Sequence, residues 1–154
     1  MIKTLQDFFT SKLSKNQDDA EPSESDLKLA AATLMFEVVR SDGQIDEIEL
    51  TTMAEVLGQQ FKMPEDDISS MMKLAKTSSD MQTSLQKFTR EVCEKWGSTE
   101  RMKLLENLWI IALVDKKIDR HERHLVRKVA GLLYLNDKQI VQSRENAKAR
   151  LATH

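Results

Sequence analysis

The stretch Asp42-Gly43-Gln44-Ile45-Asp46-Glu47-Ile48-Glu49 decides the fold, because a second version of it follows later in the chain. Residues 115–122 read Asp115-Lys116-Lys117-Ile118-Asp119-Arg120-His121-Glu122, which is a shift of 115 − 42 = 73 residues. Four positions stay in step: Asp42/Asp115, Ile45/Ile118, Asp46/Asp119 and Glu49/Glu122. An internal repeat of this kind determines how the whole chain is interpreted.

The flanks of the two acidic phrases also agree. An apolar stretch precedes each phrase, at residues 34–39 and 108–114, and an amphipathic stretch follows it. The apolar positions of the following stretches correspond as Met53, Val56 and Leu57 in the first copy, and Val126, Val129 and Ala130 in the second. This spacing predicts a helix, an acidic turn and a second helix, used twice.

Composition indicates an all-α fold. The chain of 154 residues has only four Gly and two Pro, and alternating β-branched residues are nearly absent. We predict seven helices in a domain at 25–154, over about residues 25–41, 46–60, 64–76, 80–96, 98–114, 119–133 and 136 onward. Residues 1–13 are predicted to form an amphipathic helix, and the polar residues 14–24 a flexible linker that tethers it.

Charge and cysteine content limit the function classes. The net charge is −2 with 31% charged residues of both signs, which gives no argument for nucleic-acid binding. The one cysteine, Cys93, allows no internal disulfide and favours a reducing compartment. The apolar stretch 108–114 is too short to span a bilayer, and the first residues lack the pattern of a signal peptide. A cytoplasmic location is therefore expected.

The N-terminal segment has an apolar face made by Ile2, Leu5, Phe8 and Phe9. Such a face favours docking into the groove of a protein partner. Peripheral contact with a membrane through residues 2–13 is an alternative. Packing on its own domain, or on a second copy in a homodimer, is the structural alternative.

An EF-hand calcium loop is one interpretation of the acidic phrases. The first phrase matches the second half of such a loop, with its glycine, its hydrophobic eighth position and its final glutamate. The first half does not match, because the first and third ligand positions would fall on Val38 and Arg40, and on Ile111 and Leu113 in the second copy. A true EF-hand is therefore not expected.

Helix capping is the structural interpretation. Asp46 and Glu49, like Asp119 and Glu122, have the spacing of a capping box, in which the first carboxylate accepts an N–H of the helix and the second reaches back. Ile45 and Ile118 would then form hydrophobic staples. Capping leaves Asp42 and Asp115 unexplained, and it does not exclude a metal ion, because a capping carboxylate has a second oxygen.

The apolar helix, the phrase Asp-Gly-x-Ile-Asp-x-x-Glu-Leu at residues 42–50, and the degenerate second copy together resemble the TerB-like family. That family includes bacterial tellurite-resistance protein B and the N-terminal domain of some DnaJ-like co-chaperones. The resemblance covers about residues 25–145. Its variant with a short amphipathic segment and a polar linker at the N-terminus is similar to the whole chain. The J-domain signature His-Pro-Asp is absent from the sequence.

The resemblance implies a bundle of about seven helices with two pseudo-symmetric units and a divalent-metal site made by both turns. Oxygen ligands of this kind favour Ca²⁺, Mg²⁺ or Mn²⁺ over zinc. The second turn departs from the pattern, since Lys116 replaces the glycine, and Lys117, Arg120 and Arg123 are placed to neutralise the carboxylates. The implied metal ligands are Asp42, Asp46, Glu49, Asp115, Asp119 and Glu122.

No constellation in the sequence indicates catalysis. Cys93 lacks a base at a recognisable spacing, and no glycine-rich phosphate loop is present. His121 and His124 share a helix face but lack a third soft ligand, so they are expected to be solvated, and the methionines are expected to fill the core. Together with the resemblance to the TerB-like family, this implies a non-enzymatic stress-response or interaction module that binds a divalent cation. The alternatives are a metal-free interaction scaffold and a metal-dependent hydrolase.

Overall fold

The computed structural model describes residues 24–81, 84–115 and 119–153. These residues form seven helices and no strand, as the sequence predicted. The predicted N-terminal helix at 1–13 lies outside the described residues, as does the linker before Glu24. The helices are α1 (Glu24–Val39), α2 (Glu47–Phe61), α3 (Glu65–Asp80), α4 (Leu85–Lys95), α5 (Ser98–Leu113), α6 (Arg120–Leu132) and α7 (Asp137–Ala152).

Helix α1 lies at the centre of the bundle and packs against α2, α3, α4, α5 and α6. Its buried residues are found on every side of the helix. The small side chains of Ala30, Ala31 and Ala32 allow close approach on several sides, and the buried Thr33 donates its hydroxyl to the Leu29 carbonyl at 2.7 Å. A helix that is apolar around its whole circumference is typically buried among neighbouring helices.

The two repeated units are α1–turn–α2 and α5–turn–α6, and both contribute to one core. Helix α5 packs against α1, α2, α6 and α7. The corresponding apolar positions are buried as predicted, at Met53, Val56, Leu57, Val126, Val129 and Ala130. The fold therefore brings the turn that ends α1 and the turn that ends α5 toward the same region.

The junction between α3 and α4 differs from the sequence prediction. Helix α3 continues to Asp80, and α4 begins only at Leu85, where the Ser84 hydroxyl accepts the Gln86 N–H. The carboxylate of Asp80 pairs with Arg40 at 2.5 Å and with Lys76 at 2.9 Å, which holds the last turn of α3 against α1. Met81 falls inside the range 80–96 predicted for α4, but it follows the end of α3 and is 51% exposed.

Two further helix starts show how local chemistry sets the boundaries. Asn136 accepts the Gln139 N–H while Gln139 accepts the Asn136 N–H, which is a reciprocal capping box at the start of α7. Ser98 is the first helical residue of α5, and Gly97 is its N-cap. The Glu100 carboxylate accepts the Gly97 N–H at 2.9 Å.

Candidate metal centre

The first acidic turn is shaped by Asp42 and Gly43. The Asp42 Oδ1 accepts the N–H of Gln44 at 2.9 Å, which closes a local turn of the kind that Asp favours. Gly43 has a φ of 86°, a backbone conformation that side chains with a Cβ rarely adopt. Ile45, predicted to be a hydrophobic staple, is 46% exposed, so it does not anchor this turn by burial.

Asp46 occupies the N-cap position of α2, but its side chain makes no capping hydrogen bond. Glu49 does not complete the predicted capping box either, because both of its carboxylate oxygens are buried without a donor among the described residues. Glu49 lies on the inner face of α2 with 1% of its surface exposed. Both carboxylates therefore remain available for another interaction.

Three carboxylates from the two turns converge. One oxygen each from Asp46, Glu49 and Asp115 lies within 4.8 Å of the other two. Asp115 belongs to the turn after α5, so the group joins residues that are about seventy positions apart in sequence. The fold thus brings together one residue of the second turn and two of the first.

Glu49 also faces Glu122 across the interface between α2 and α6. The pKa of Glu49 is raised to about 10. Burial is the largest cause, followed by a hydrogen bond with Glu122 and by the negative charges of Glu122, Asp115 and Asp46. The pKa of Glu122 is raised to about 7, mainly by burial. The hydrogen bond with Glu49 lowers this pKa, whereas the charges of Asp115, Asp42 and Asp119 raise it further. That hydrogen bond exists only while one of the two carboxyls holds a proton. With both ionised, neither Glu49 oxygen has a donor.

The second turn is built differently from the first. The Asp119 Oδ1 accepts the N–H groups of His121 at 2.7 Å and of Glu122 at 3.1 Å, so Asp119 caps α6 as predicted. Both bonds use the same oxygen, which leaves Oδ2 free of hydrogen bonds within the described residues. Glu122 is 2% exposed, and its Oε2 is buried without a donor.

The predicted neutralising cations are not paired with these carboxylates in the part of the chain that the structure describes. Arg120 and Arg123 are exposed, and no ion pair joins either of them to an acidic group among the described residues. Lys116, Lys117 and the second predicted staple, Ile118, lie outside the described residues. The negative charge of the cluster is therefore not balanced by these two arginines.

The different roles of Asp119 and Asp46 can be tested by substitution. Asp119→Ala should lower the free energy of unfolding by about 1 kcal/mol, the usual effect of losing an N-cap. Asp46→Ala removes no cap and one negative charge, so in metal-free buffer it should leave stability equal or higher. Urea unfolding followed by circular dichroism measures both. Equal losses in the two variants would show that Asp46 is a cap after all.

The other candidates of the sequence have simpler roles. His121 and His124 are exposed, and His121 Nδ1 lies 3.4 Å from the Asp119 Oδ1. The half-buried Cys93 directs its Sγ to the carbonyl of Leu132 at 3.7 Å, and burial raises the pKa of its thiol. A thiol with a raised pKa is a poor nucleophile at neutral pH.

These features define a class of protein, an all-helical domain in which two helix–turn–helix units contribute to one partly buried carboxylate cluster. The chain belongs to the family of tellurite resistance protein TerB, whose sequence model matches residues 28–145. It therefore carries a tellurite-resistance-related helical domain.

A solved structure shows the same fold. A protein of unknown function from Porphyromonas gingivalis W83 superimposes with a TM-score of 0.59 at 19% sequence identity, over 80% of this chain and 94% of that one. At this identity the likeness concerns the fold alone. A search of curated proteins found no match. No helix among the described residues is long and apolar enough to cross a membrane.

Proposed function

We propose that this TerB domain is a non-enzymatic module that binds a divalent cation between its two acidic turns and uses it in a stress response. The observation that carries the proposal is the convergence of Asp46, Glu49 and Asp115, in which both Glu49 oxygens are buried and have no donor within residues 24–81, 84–115 and 119–153. A buried ionised carboxylate is costly unless a positive charge or hydrogen bonds compensate it. A cation held by these three residues supplies that compensation, with Asp42, Asp119 and Glu122 next to them.

The flexible coordination of Ca²⁺ suits carboxylates that come from two separate turns. One oxygen each from Asp46, Glu49 and Asp115 lies within 4.8 Å of the other two, which leaves room for one cation among them. Calcium accepts six to eight oxygen ligands at 2.3–2.6 Å in flexible geometry, whereas magnesium demands near-octahedral geometry at 2.0–2.1 Å. We therefore expect Ca²⁺, and Mn²⁺ after it, to bind more tightly than Mg²⁺.

The interaction role rests on the surface beside the cluster. Ile45 is 46% exposed and Ile48 is 48% exposed, one on each side of Asp46 in the sequence. A cation that fixes Asp46 would also fix the backbone that presents these side chains. We propose that the module contacts a protein partner or a second copy of this chain. Peripheral contact with a membrane surface through residues 2–13 is the alternative.

The metal-free scaffold remains the second candidate function. The exposed isoleucines favour it equally, but its premise was that the acidic residues serve only as caps. Asp46 does not act as a side-chain cap, and neither oxygen of Glu49 reaches the backbone. These contacts favour the cation-binding module.

Calorimetric titration of the metal-free protein with Ca²⁺, Mn²⁺ and Mg²⁺ tests the proposal. We expect one saturable site for Ca²⁺ at micromolar concentration, and a loss of at least tenfold in affinity in Asp46→Asn, since one anionic ligand is removed. The double variant Asp42→Asn/Asp46→Asn should bind no cation in the same range.

Glu47→Gln is the matched control for this titration. Glu47 lies on the same helix beside Asp46, but its side chain is exposed and outside the cluster. It should bind Ca²⁺ as the unaltered protein does. Equal weakening by Glu47→Gln and Asp46→Asn would indicate general attraction to an acidic surface, and absence of binding would favour the metal-free scaffold.

A further inference from the structure

A cavity of about 70 Å³ adjoins the carboxylate cluster between α5, α6 and α7. Its apolar wall is formed by Trp109, Ala112 and Leu113 of α5. The volume corresponds to roughly two water molecules, or to one small polar group of a ligand. Asp119 and Glu122 of the acidic cluster also line the cavity. A ligand in the cavity would therefore lie next to a cation bound by the cluster.

The side chains around the cavity include hydrogen-bond donors that lack acceptors. The indole Nε1–H of Trp109 and the Nε–H of Arg144 are both buried without a partner in the part of the chain that the structure describes. The Arg144 guanidinium lies 6.0 Å from the centre of the Trp109 ring, and its Nε is 3.8 Å from the Glu145 carboxylate, which is too far for a hydrogen bond. Buried donors of this kind usually have an acceptor, so their presence here points to a ligand or ordered water.

The cavity is also rich in positive charge. Arg123, Arg144 and Lys148 line it together. Arg123 has no ion pair within the described part of the chain, and Lys148 pairs only with the exposed Glu145, at 3.5 Å. Guanidinium groups favour planar, two-oxygen contacts with carboxylate or phosphate.

We propose that this cavity binds the oxyanion group of a small ligand, a carboxylate or a phosphate, beside the cation. Arg123, Arg144 and Lys148 supply the charge, and the Trp109 indole supplies a neutral donor. The inference rests on the proposed function, because Asp119 and Glu122 would repel an anion until a cation neutralises them. Cation and anion therefore bind cooperatively, and the module responds to a ligand that carries such an oxyanion group.

Nuclear magnetic resonance of the indole N–H groups tests the proposal directly. The chain has only two tryptophans, so the spectrum has two indole signals, and Trp96→Phe assigns them. Acetate and methyl phosphate are titrated at constant ionic strength, without and with saturating Ca²⁺. We expect a saturable shift of the Trp109 signal, little change at Trp96, and roughly tenfold tighter anion binding with Ca²⁺. The probe with the larger response identifies the oxyanion class.

Variants separate a specific site from general charge attraction. Arg123→Gln should weaken anion binding about tenfold, as expected for one charge-assisted hydrogen bond. Arg127→Gln makes the same charge change at an exposed position one turn further along α6, outside the cavity, and should have no effect. Arg144→Lys keeps the charge but removes the Nε–H, and it should weaken binding too.

The possible failures are distinguishable. Calorimetric Ca²⁺ binding without a shift of Trp109 by either anion would overturn the anion site and leave the cation site standing. Equal effects of Arg123→Gln and Arg127→Gln would overturn it as well. Absence of Ca²⁺ binding would overturn the proposed function, and the cooperative anion site with it.

Discussion

Calcium should stabilise the protein strongly, and Glu49→Gln should abolish that effect while making the metal-free protein more stable. At a free Ca²⁺ concentration of 100 times the dissociation constant, the gain is about 2.7 kcal/mol. For a domain of this size it corresponds to a rise in Tm of roughly 5–11 °C. In Glu49→Gln the amide donates to the Glu122 carboxylate, so we expect a gain of roughly 2 kcal/mol in metal-free buffer.

Thermal unfolding followed by circular dichroism, with chelator and with Ca²⁺, measures both effects. The decisive feature is that Glu49→Gln should raise the Tm with chelator and lower it, relative to the unaltered protein, with Ca²⁺. Substitution of a residue that only supports the fold would lower the Tm in both conditions. Glu47→Gln is again the matched control and should behave like the unaltered protein, since Glu47 is exposed. A fall in the Tm of metal-free Glu49→Gln would show that the buried carboxylate stabilises the fold by itself.

The metal-free protein should become less stable as the pH rises from 5 to 8. The pKa of Glu49 and that of Glu122 are raised from 4.5 to about 10 and about 7 in the folded state. In this window the unfolded chain has already released the protons that the folded pair retains, so the folded state binds more protons. The free energy of unfolding then decreases with pH, by a few kcal/mol in all for a pair shifted this far.

Urea unfolding at intervals between pH 5 and pH 8, with chelator present, measures this slope. Glu49→Gln should flatten it, because the pair then no longer shares a proton. Lys76 and Arg40 lower the pKa of Asp80 below its ordinary value of 3.8, so its contribution falls outside the window. Stability that is level or rising with pH in the metal-free protein would contradict the mutual burial of the two glutamates.

The repeat allowed the bundle to be predicted because the two copies share both their acidic and their apolar positions. Met53 corresponds to Val126 and Leu57 to Ala130. The two positions are one helical turn apart in each copy, and all four side chains are buried. The boundary between α3 and α4 was wrong, because the pairing of Asp80 with Arg40 joins residues forty positions apart. Local sequence gives no sign of that pairing.

The six metal ligands stay a prediction, and the contacts among these carboxylates were not foreseen from the sequence. The spacing of Asp46 and Glu49 is that of a capping box. Spacing along one helix gives no information about contacts with another helix, so it did not predict that Glu49 faces Glu122. The cavity residues Trp109, Arg144 and Lys148 were not identified at all, because they lie on two helices with no shared motif. Only the packing of α5 against α7 brings them together.

The central position of α1 has a consequence for the modularity of this domain. Its two units are copies in sequence, yet the first unit's opening helix is the packing surface for helices of both. Neither half therefore has a core of its own, and separately expressed halves would expose the apolar surface that α1 covers. The repeat duplicates an acidic turn, whereas folding is a property of the whole helical domain, so the proposed cation would enter and leave without the halves separating.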